Sequence, residues 1–167
     1  FRPTPAYLVK LEGAAIAGHR TIFVGGIRDP ILVGQIDGFL ATLKKRLHGV
    51  FPELASGQAQ IHFHVYGKNG VMGALEPCKD FVPLEVGILG EATAATQELA
   101  NAICSHARIG VLHMPYPGQM ATAGNFAIPL NPPENPIGPV CRFSLYHLMP
   151  AETPLALFPS RIEEVGA

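Results

Sequence analysis

Three side chains of this sequence are suited to moving protons, and each borders a predicted strand or turn. Lys68 lies in the segment 66–73, whose three glycines allow a ligand to approach the backbone closely. His113 ends an apolar run, and Glu91 follows the apolar run 83–89. Lysine, histidine and carboxylate side chains are the usual general acids and bases of enzymes. We therefore predict Lys68, His113 and Glu91 as the catalytic residues.

Five further residues are suited to holding a substrate: Arg28, Asn69, Gly70, Tyr116 and Asn125. Arg28 precedes a predicted helix, where free backbone amides attract anions and a guanidinium can clamp a carboxylate or phosphate. Asn69 and Gly70 offer an amide side chain and an accessible backbone beside the lysine. Tyr116 and Asn125 lie in a long loop, where binding residues concentrate. We predict that these five residues bind the substrate.

The same residues have structural alternatives, which the sequence leaves open. Arg28 can pair with a structural carboxylate in a tight turn, and Asn69-Gly70 is a frequent turn dipeptide. Glu91 can favour a helix start through the helix dipole. The Pro-Tyr-Pro run around Tyr116 is typical of a stiff connector. The sequence contains no P-loop and no dinucleotide-binding fingerprint.

Two histidines, His62 and His64, share one face of a predicted strand because side chains alternate along a strand. His-x-His pairs of this kind bind divalent metals, and Glu85 or His113 from a neighbouring strand would complete such a site. The alternative is a polar sheet face packed against another subunit. We expect no resident cofactor, and a metal at His62 and His64 is the competing hypothesis.

The cysteines and the overall charge limit the classes of protein. Cys78, Cys104 and Cys141 are odd in number and lack the close pairing of a zinc or redox motif. We expect reduced thiols in a cytoplasmic protein, most of them buried, with Cys104 packed on the inner side of a helix. The 12 basic and 13 acidic residues give a formal charge of -1, so no electrostatic footprint for nucleic acid is present. No apolar run is long enough to span a bilayer.

The first half of the chain predicts two strands, a helix and a third strand. The segments 7–12 and 21–24 are the strands, separated by a turn of small residues. Asp29 caps the helix, and proline occupies its first position. One helical face carries the apolar residues Leu32, Ile36, Phe39, Leu40, Leu43 and Leu47. The alternating segment 60–66 is the third strand, with Ile61, Phe63 and Val65 on its buried face.

The second half predicts a strand at 83–89, a helix from Thr93 to about His106 and a strand at 108–113. Residues 115–139 hold seven prolines and form a long shaped loop, a kind of loop that is often functional. A final strand covers 140–147.

This order of elements predicts an α+β fold with a ferredoxin-like βαββαβ core and an extra strand at each end. Two helices cover one face of the sheet and leave the other face free. We expect residues 1–150 to form one domain that includes the loop 115–139, with residues 151–167 as a peripheral tail.

Several strings resemble the carboxyl-terminal part of the acyclic terpene utilisation family, the AtuA-like proteins. The strings are Lys10-Leu-Glu-Gly13, Gly26-Ile-Arg-Asp-Pro-Ile31, Val65-Tyr-Gly-Lys-Asn-Gly-Val-Met-Gly73, Ala95-Thr-Gln-Glu-Leu-Ala100, Ala123-Gly-Asn125 and Phe143-Ser-Leu-Tyr-His147. The resemblance covers roughly residues 7–159. Members are usually much longer, so it implies that a segment precedes this chain. It also implies catabolism of branched carboxylic acids or their CoA thioesters.

Taken together, these observations predict a domain of a catabolic enzyme that acts on a small carboxylate or an acyl-CoA thioester by hydratase or lyase chemistry. Arg28 would hold the anionic group, Lys68 or His113 would move the proton, and backbone amides near Gly70 would stabilise an enolate. The alternative is a non-catalytic oligomerisation or docking module of a larger AtuA-like protein. We expect a homo-oligomer that contacts the upstream segment of the same protein or a partner subunit.

Overall fold

A computed structural model describes residue 2 and residues 5–122 and 125–166 of the chain. The described residues form a mixed α+β structure with four strands and three helices. These are β1 (Leu8–Ile27), α1 (Pro30–Val50), α2 (Pro52–Ala55), β2 (Gln60–Tyr66), β3 (Val86–Ala94), α3 (Gln97–His113) and β4 (Glu134–Pro150). Single 3-10 turns lie at Gly73–Leu75 and Pro154–Leu157. The prediction of an α+β fold is confirmed.

The strands form one antiparallel sheet in the order β2-β3-β1-β4. The central strand β3 pairs antiparallel with β2 on one side and with β1 on the other. In this register, Glu91 of β3 lies opposite Ile22 of β1 on one side and opposite His62 of β2 on the other. Side chains of three strands therefore meet on one face of the sheet.

The two strands predicted before α1 are one continuous strand, β1, and this part of the prediction is wrong. The small residues between 13 and 18 were expected to turn. They stay extended because β4 pairs beside them: Gly13 lies next to Leu145, and Ala151 N donates to Tyr7 O at 2.9 Å. Long-range pairing overrides the weak local preference for a turn. This merger replaces two of the six predicted strands with one.

The strand predicted at 108–113 is also wrong, because these residues are the last turns of α3. The buried residues of α3 are Ala100, Ile103, Cys104, Ala107 and Val111. Their spacing is helical and continues unbroken past residue 108, whereas the short apolar run alone is compatible with either structure. The strand β4 begins at Glu134, so the end of the predicted loop 115–139 is a strand as well.

The helix α1 begins where the sequence predicts, and its apolar stripe is buried. Asp29 is the N-cap, and its Oδ1 accepts a hydrogen bond from the Ile31 backbone N–H at 2.9 Å. The Tyr116 hydroxyl donates to the other oxygen of the same carboxylate. The start of α1 is thus tied to the loop that follows α3.

The core lies between the helices and the inner face of the sheet. Phe23 is fully buried at its centre and packs against the rings of Phe63 and Phe126. Gly90 lies opposite Phe23 in the register, and a Cβ at Gly90 would stand 2.1 Å from the Phe23 ring. This glycine makes room for the largest side chain of the sheet interior.

The chain divides into two compact units. One consists of residues 17–140 and holds the helices, β2, β3 and the adjoining parts of β1 and β4. The other consists of residues 1–16 and 141–167. We name its two-stranded part, formed by residues 8–16 of β1 and 141–150 of β4, the ribbon. Among the described residues, no helix combines the length and apolar character needed to cross a membrane.

Candidate functional site

The outer face of the sheet carries a line of charged side chains on three adjacent strands. Arg20 on β1, Glu91 on β3 and His64 on β2 project from this face, since strand residues alternate between faces. Half-exposed aliphatic residues, Ile22 and Leu89 among them, lie on the same face. We name Arg20, Glu91 and His64 the charged array.

Within the charged array, Glu91 is the shared partner of the other two residues. Arg20 Nε is buried 3.0 Å from Glu91 Oε1, in an ion-pair contact whose N–H direction does not make a hydrogen bond. His64 Nε2 lies 3.5 Å from the other carboxylate oxygen, Oε2. The Glu91 side chain is only 21% exposed, less than either partner. The guanidinium thus holds the carboxylate in place, and the carboxylate faces the imidazole.

His64 also borders a cavity of about 480 Å³. The loop after β2, including Asn69, Gly70 and Met72, lines most of the rest of it, together with Phe63 and Val65 of β2. The Tyr66 ring stacks on the imidazole, with 6.5 Å between ring centroids. Four of the residues predicted from the sequence, His64, Glu91, Asn69 and Gly70, therefore belong to one region of the structure.

This arrangement is chemically suited to a general base. A carboxylate that faces one ring nitrogen orients a histidine and leaves the other nitrogen to exchange a proton. Among the described residues, His64 Nδ1 has no hydrogen-bond partner, while Nε2 faces Glu91. The cavity beside His64 has room for a small carboxylate or the acyl end of a thioester.

His62 is on the same strand face as His64 but has a different side-chain partner. Its Nε2 lies 3.3 Å from the Gln60 side-chain oxygen, and the imidazole is exposed. Glu91 is opposite His62 in the strand register, yet the glutamate side chain turns to His64 and Arg20. Within the described part of the chain, no three His, Cys, Asp or Glu side chains cluster as metal ligands do.

Lys68 lies away from the charged array, against α1. Its Nζ is 2.6 Å from Asp37 Oδ2, and the lysine side chain is a quarter exposed. The backbone N–H groups of Lys68, Asn69 and Gly70 all point to the Val65 carbonyl, at 3.3, 3.1 and 2.8 Å. These three amides close the turn, and the role of other amides near Gly70 in stabilising an enolate stays a prediction.

Arg28 and His113 lie apart from both Lys68 and the charged array. Arg28 is exposed at the end of β1, where it donates to the Leu84 carbonyl at 3.1 Å and lies 3.9 Å from Glu85. His113 is the last residue of α3 and borders a separate apolar cavity of about 290 Å³. The structure does not bring Arg28, Lys68 and His113 together in one cavity of the described residues.

Tyr116 and Asn125 have different hydrogen-bond partners. The Tyr116 ring borders a third cavity, of about 540 Å³, between α1 and the segment after α3. Burial, together with the hydrogen bond to Asp29, raises the pKa of the Tyr116 hydroxyl to about 12. Asn125 donates to the Ala121 carbonyl at 3.1 Å. Tyr116 thus caps the start of α1 through Asp29.

The cysteines differ from the expectation that most are buried. Cys104 is fully buried in α3, as predicted, and burial raises the pKa of its thiol to about 12. Cys78 and Cys141 are free and exposed, because both lie in segments that contribute nothing to the core.

Arg20 is the residue of this site that sequence reasoning missed. It directly precedes the predicted strand 21–24 and has the same parity as Ile22 and Val24, which places it on the outer face. That alternation was the available signal. Its partner could not be read from the sequence, because the register between β1 and β3 joins residues about 70 positions apart.

Comparisons of this chain with protein-family models, with curated proteins and with solved structures found no match.

Proposed function

We propose that the chain is a ferredoxin-like domain of an enzyme that moves a proton next to a carbonyl group. The element order β1-α1-β2-β3-α3-β4, with the short α2 after α1, and the strand order β2-β3-β1-β4 support the ferredoxin-like assignment. The observation that carries the activity is the contact of His64 with Glu91 at the edge of a cavity. The resemblance to AtuA-like proteins supplies the substrate class, a branched carboxylate or its CoA thioester.

In the proposed reaction His64 is the base. Its Nδ1 takes the proton from the carbon next to the carbonyl, and the electron pair of that C–H bond moves into an enolate. In the elimination direction a hydroxyl group leaves the neighbouring carbon, takes the proton back from the imidazolium and departs as water. A double bond remains in the product, which is the result of lyase or hydratase chemistry.

Two other residues have supporting roles in this proposal. Glu91 stabilises the imidazolium that forms, and Arg20 holds the Glu91 carboxylate in position through their ion-pair contact. Asn69 borders the same cavity, and its side chain has no hydrogen-bond partner among the described residues. The Asn69 amide is therefore available to donate to the substrate carbonyl oxygen, in place of the backbone amides that the turn uses.

The test is hydrogen exchange at carbon, which needs no knowledge of the final product. The intact protein is incubated in D₂O with a panel of branched carboxylates and acyl-CoA thioesters, and deuterium incorporation is measured by mass spectrometry. We expect exchange with at least one member of the panel, and a loss of about 100-fold or more in His64→Gln.

His62→Gln is the matched control, since it removes an imidazole from the same strand face without touching Glu91. It should retain the exchange activity of the unmodified protein. Equal losses in the two variants, unchanged exchange in a folded His64→Gln variant, or no exchange with any member of the panel would each contradict the proposal.

A further inference from the structure

The ribbon leaves large apolar side chains in water. Phe143 is 70% exposed and Tyr146 is 66% exposed, and these two rings contact each other edge-to-face. Leu8, Ile16, Leu145 and Leu148 of the same ribbon are each about half exposed or more. Exposed apolar surface on this scale marks an interaction site.

The backbone of the ribbon is also incompletely paired. The strand β4 is at the edge of the sheet, and among the described residues it pairs only with β1. On its other side, the pairing of β1 with β3 within the described residues begins at His19. Both long edges of the ribbon therefore present unpaired N–H and C=O groups, and a two-stranded ribbon is at best marginally stable in water.

The usual protections of an edge strand are missing from β4 between residues 141 and 149. This stretch contains no proline and a single residue that is always charged, Arg142. Natural edge strands avoid pairing with other chains through prolines, charges and bulges. An edge that lacks these protections is suited to pairing with another strand.

We infer that the ribbon is the surface through which two copies of this chain associate, with β4 of one copy antiparallel to β4 of the other. Such an interface is isologous, so one two-fold axis pairs the exposed β4 edges of both copies at once. The charge pattern favours a second copy. The ribbon holds one lysine, one glutamate, one arginine and one histidine, which are Lys10, Glu12, Arg142 and His147. Lys10 and Glu12 pair with each other at 2.6 Å. Two copies therefore meet with little like-charge repulsion.

The exposed area is sufficient for such a dimer. Taking roughly 200 Å² for each aromatic side chain and somewhat less for each aliphatic one, the apolar surface left in water by the ribbon is on the order of 600 Å². A standard stable interface buries about 800 Å² from each partner, including its polar rim. The edge backbone and the polar side chains of β4 supply the remainder.

The test is the oligomeric state of the intact protein, measured by light scattering across a range of concentrations. We expect a dimer for the unmodified protein and a monomer for the double variant Phe143→Lys, Leu145→Lys. Leu75→Lys is the control, because it places the same charge on an exposed leucine outside the ribbon, and it should remain dimeric. Circular dichroism establishes that each variant is folded.

Amide hydrogen exchange of the unmodified protein provides a second measurement that requires no variant. In the dimer the outward N–H groups of residues 141–149 are hydrogen-bonded and exchange slowly, whereas in a monomer they exchange at the rate of an open edge. A monomer at all concentrations, rapid exchange along β4, or a dimer that persists in the folded double variant would overturn the inference. None of these outcomes depends on the proton-transfer activity.

Discussion

At the scale of single residues, each of the two oxygens of the Asp29 carboxylate accepts a different hydrogen bond. One oxygen accepts the Ile31 backbone N–H at the start of α1, and the other accepts the Tyr116 hydroxyl. The cap satisfies a helix N–H group that would otherwise lack a partner, and the tyrosine fixes the chain that follows α3. The carboxylate also places a negative charge where an anionic substrate was expected to bind. Residues 28–30 therefore join the start of α1 to the segment that follows α3, and we name this contact the junction.

Removing the Tyr116 hydroxyl isolates one part of this junction. We expect Tyr116→Phe to lower the free energy of unfolding by about 1–2 kcal/mol, because a hydrogen bond to a charged carboxylate is lost from a buried position. Denaturant titration measures the change. Tyr7→Phe removes an exposed hydroxyl and should leave the stability unchanged within error. Equal effects of the two substitutions would show that the hydrogen bond between Tyr116 and Asp29 contributes nothing to the free energy of unfolding.

Residue type alone did not identify which candidate residues lie close together in the structure. Lysine, histidine and glutamate were all recognisable as candidates, yet only Glu91 among the three predicted catalytic residues contacts a histidine that borders a cavity. Lys68 and His113 are of the right type but face α1 and a separate cavity. Residue type indicates what chemistry is possible, and position decides which residues can share it.

At the scale of secondary structure elements, glycines of the two long helices differ in whether a Cβ would have room. Gly38 in α1 has open space where a Cβ would lie, whereas a Cβ at Gly110 in α3 would stand 2.3 Å from Leu43 Cδ1. Leu43 is buried, so α3 approaches α1 closely at Gly110. One glycine is dispensable for packing, and the other permits the contact between the helices.

The paired substitutions Gly38→Ala and Gly110→Ala test this difference. Both gain helix propensity, by about 1 kcal/mol. We expect Gly38→Ala to raise the melting temperature. Gly110→Ala should be less stable than Gly38→Ala, because Leu43 must move to admit the methyl group. A calorimetric scan compares the three proteins, and equal stabilisation by both alanines would contradict the close helix contact.

At the scale of the whole molecule, stability at alkaline pH depends on two buried acids. The pKa of Cys104 rises from 9.0 to about 12 through burial, and the pKa of Tyr116 rises from 10.0 to about 12. Above pH 9 the unfolded chain therefore releases protons that the folded chain still holds. Stability must fall as the pH rises from about 9 toward 12, since the state that binds fewer protons is favoured at high pH.

The variant Cys104→Ala tests this linkage. Its absolute stability is lower because a buried side chain is shortened, but its slope of unfolding free energy against pH between 9 and 11 should be flatter than in the unmodified protein. Denaturant titrations at several pH values give the two slopes. Identical slopes would show that the Cys104 thiolate is tolerated in the folded state.

The sequence by itself determined the elements whose information is local. The cap and apolar stripe of α1 and the alternation of β2 were predicted with nearly the observed bounds, because each pattern lies within one short stretch. The burial of Cys104 followed from the same kind of pattern. The α+β class followed from the order of these elements.

Only the tertiary structure decided the features that depend on pairing between distant residues. The pairing of β1 with β4 made one strand of two predicted ones, and the packing of α3 carried the helix through 108–113. The same pairing of β1, β3 and β2 brought Arg20, Glu91 and His64 together. Strand register joins residues far apart in sequence, and no local pattern encodes the separation. For that reason the candidate site could be listed by residue type but not assembled from the sequence.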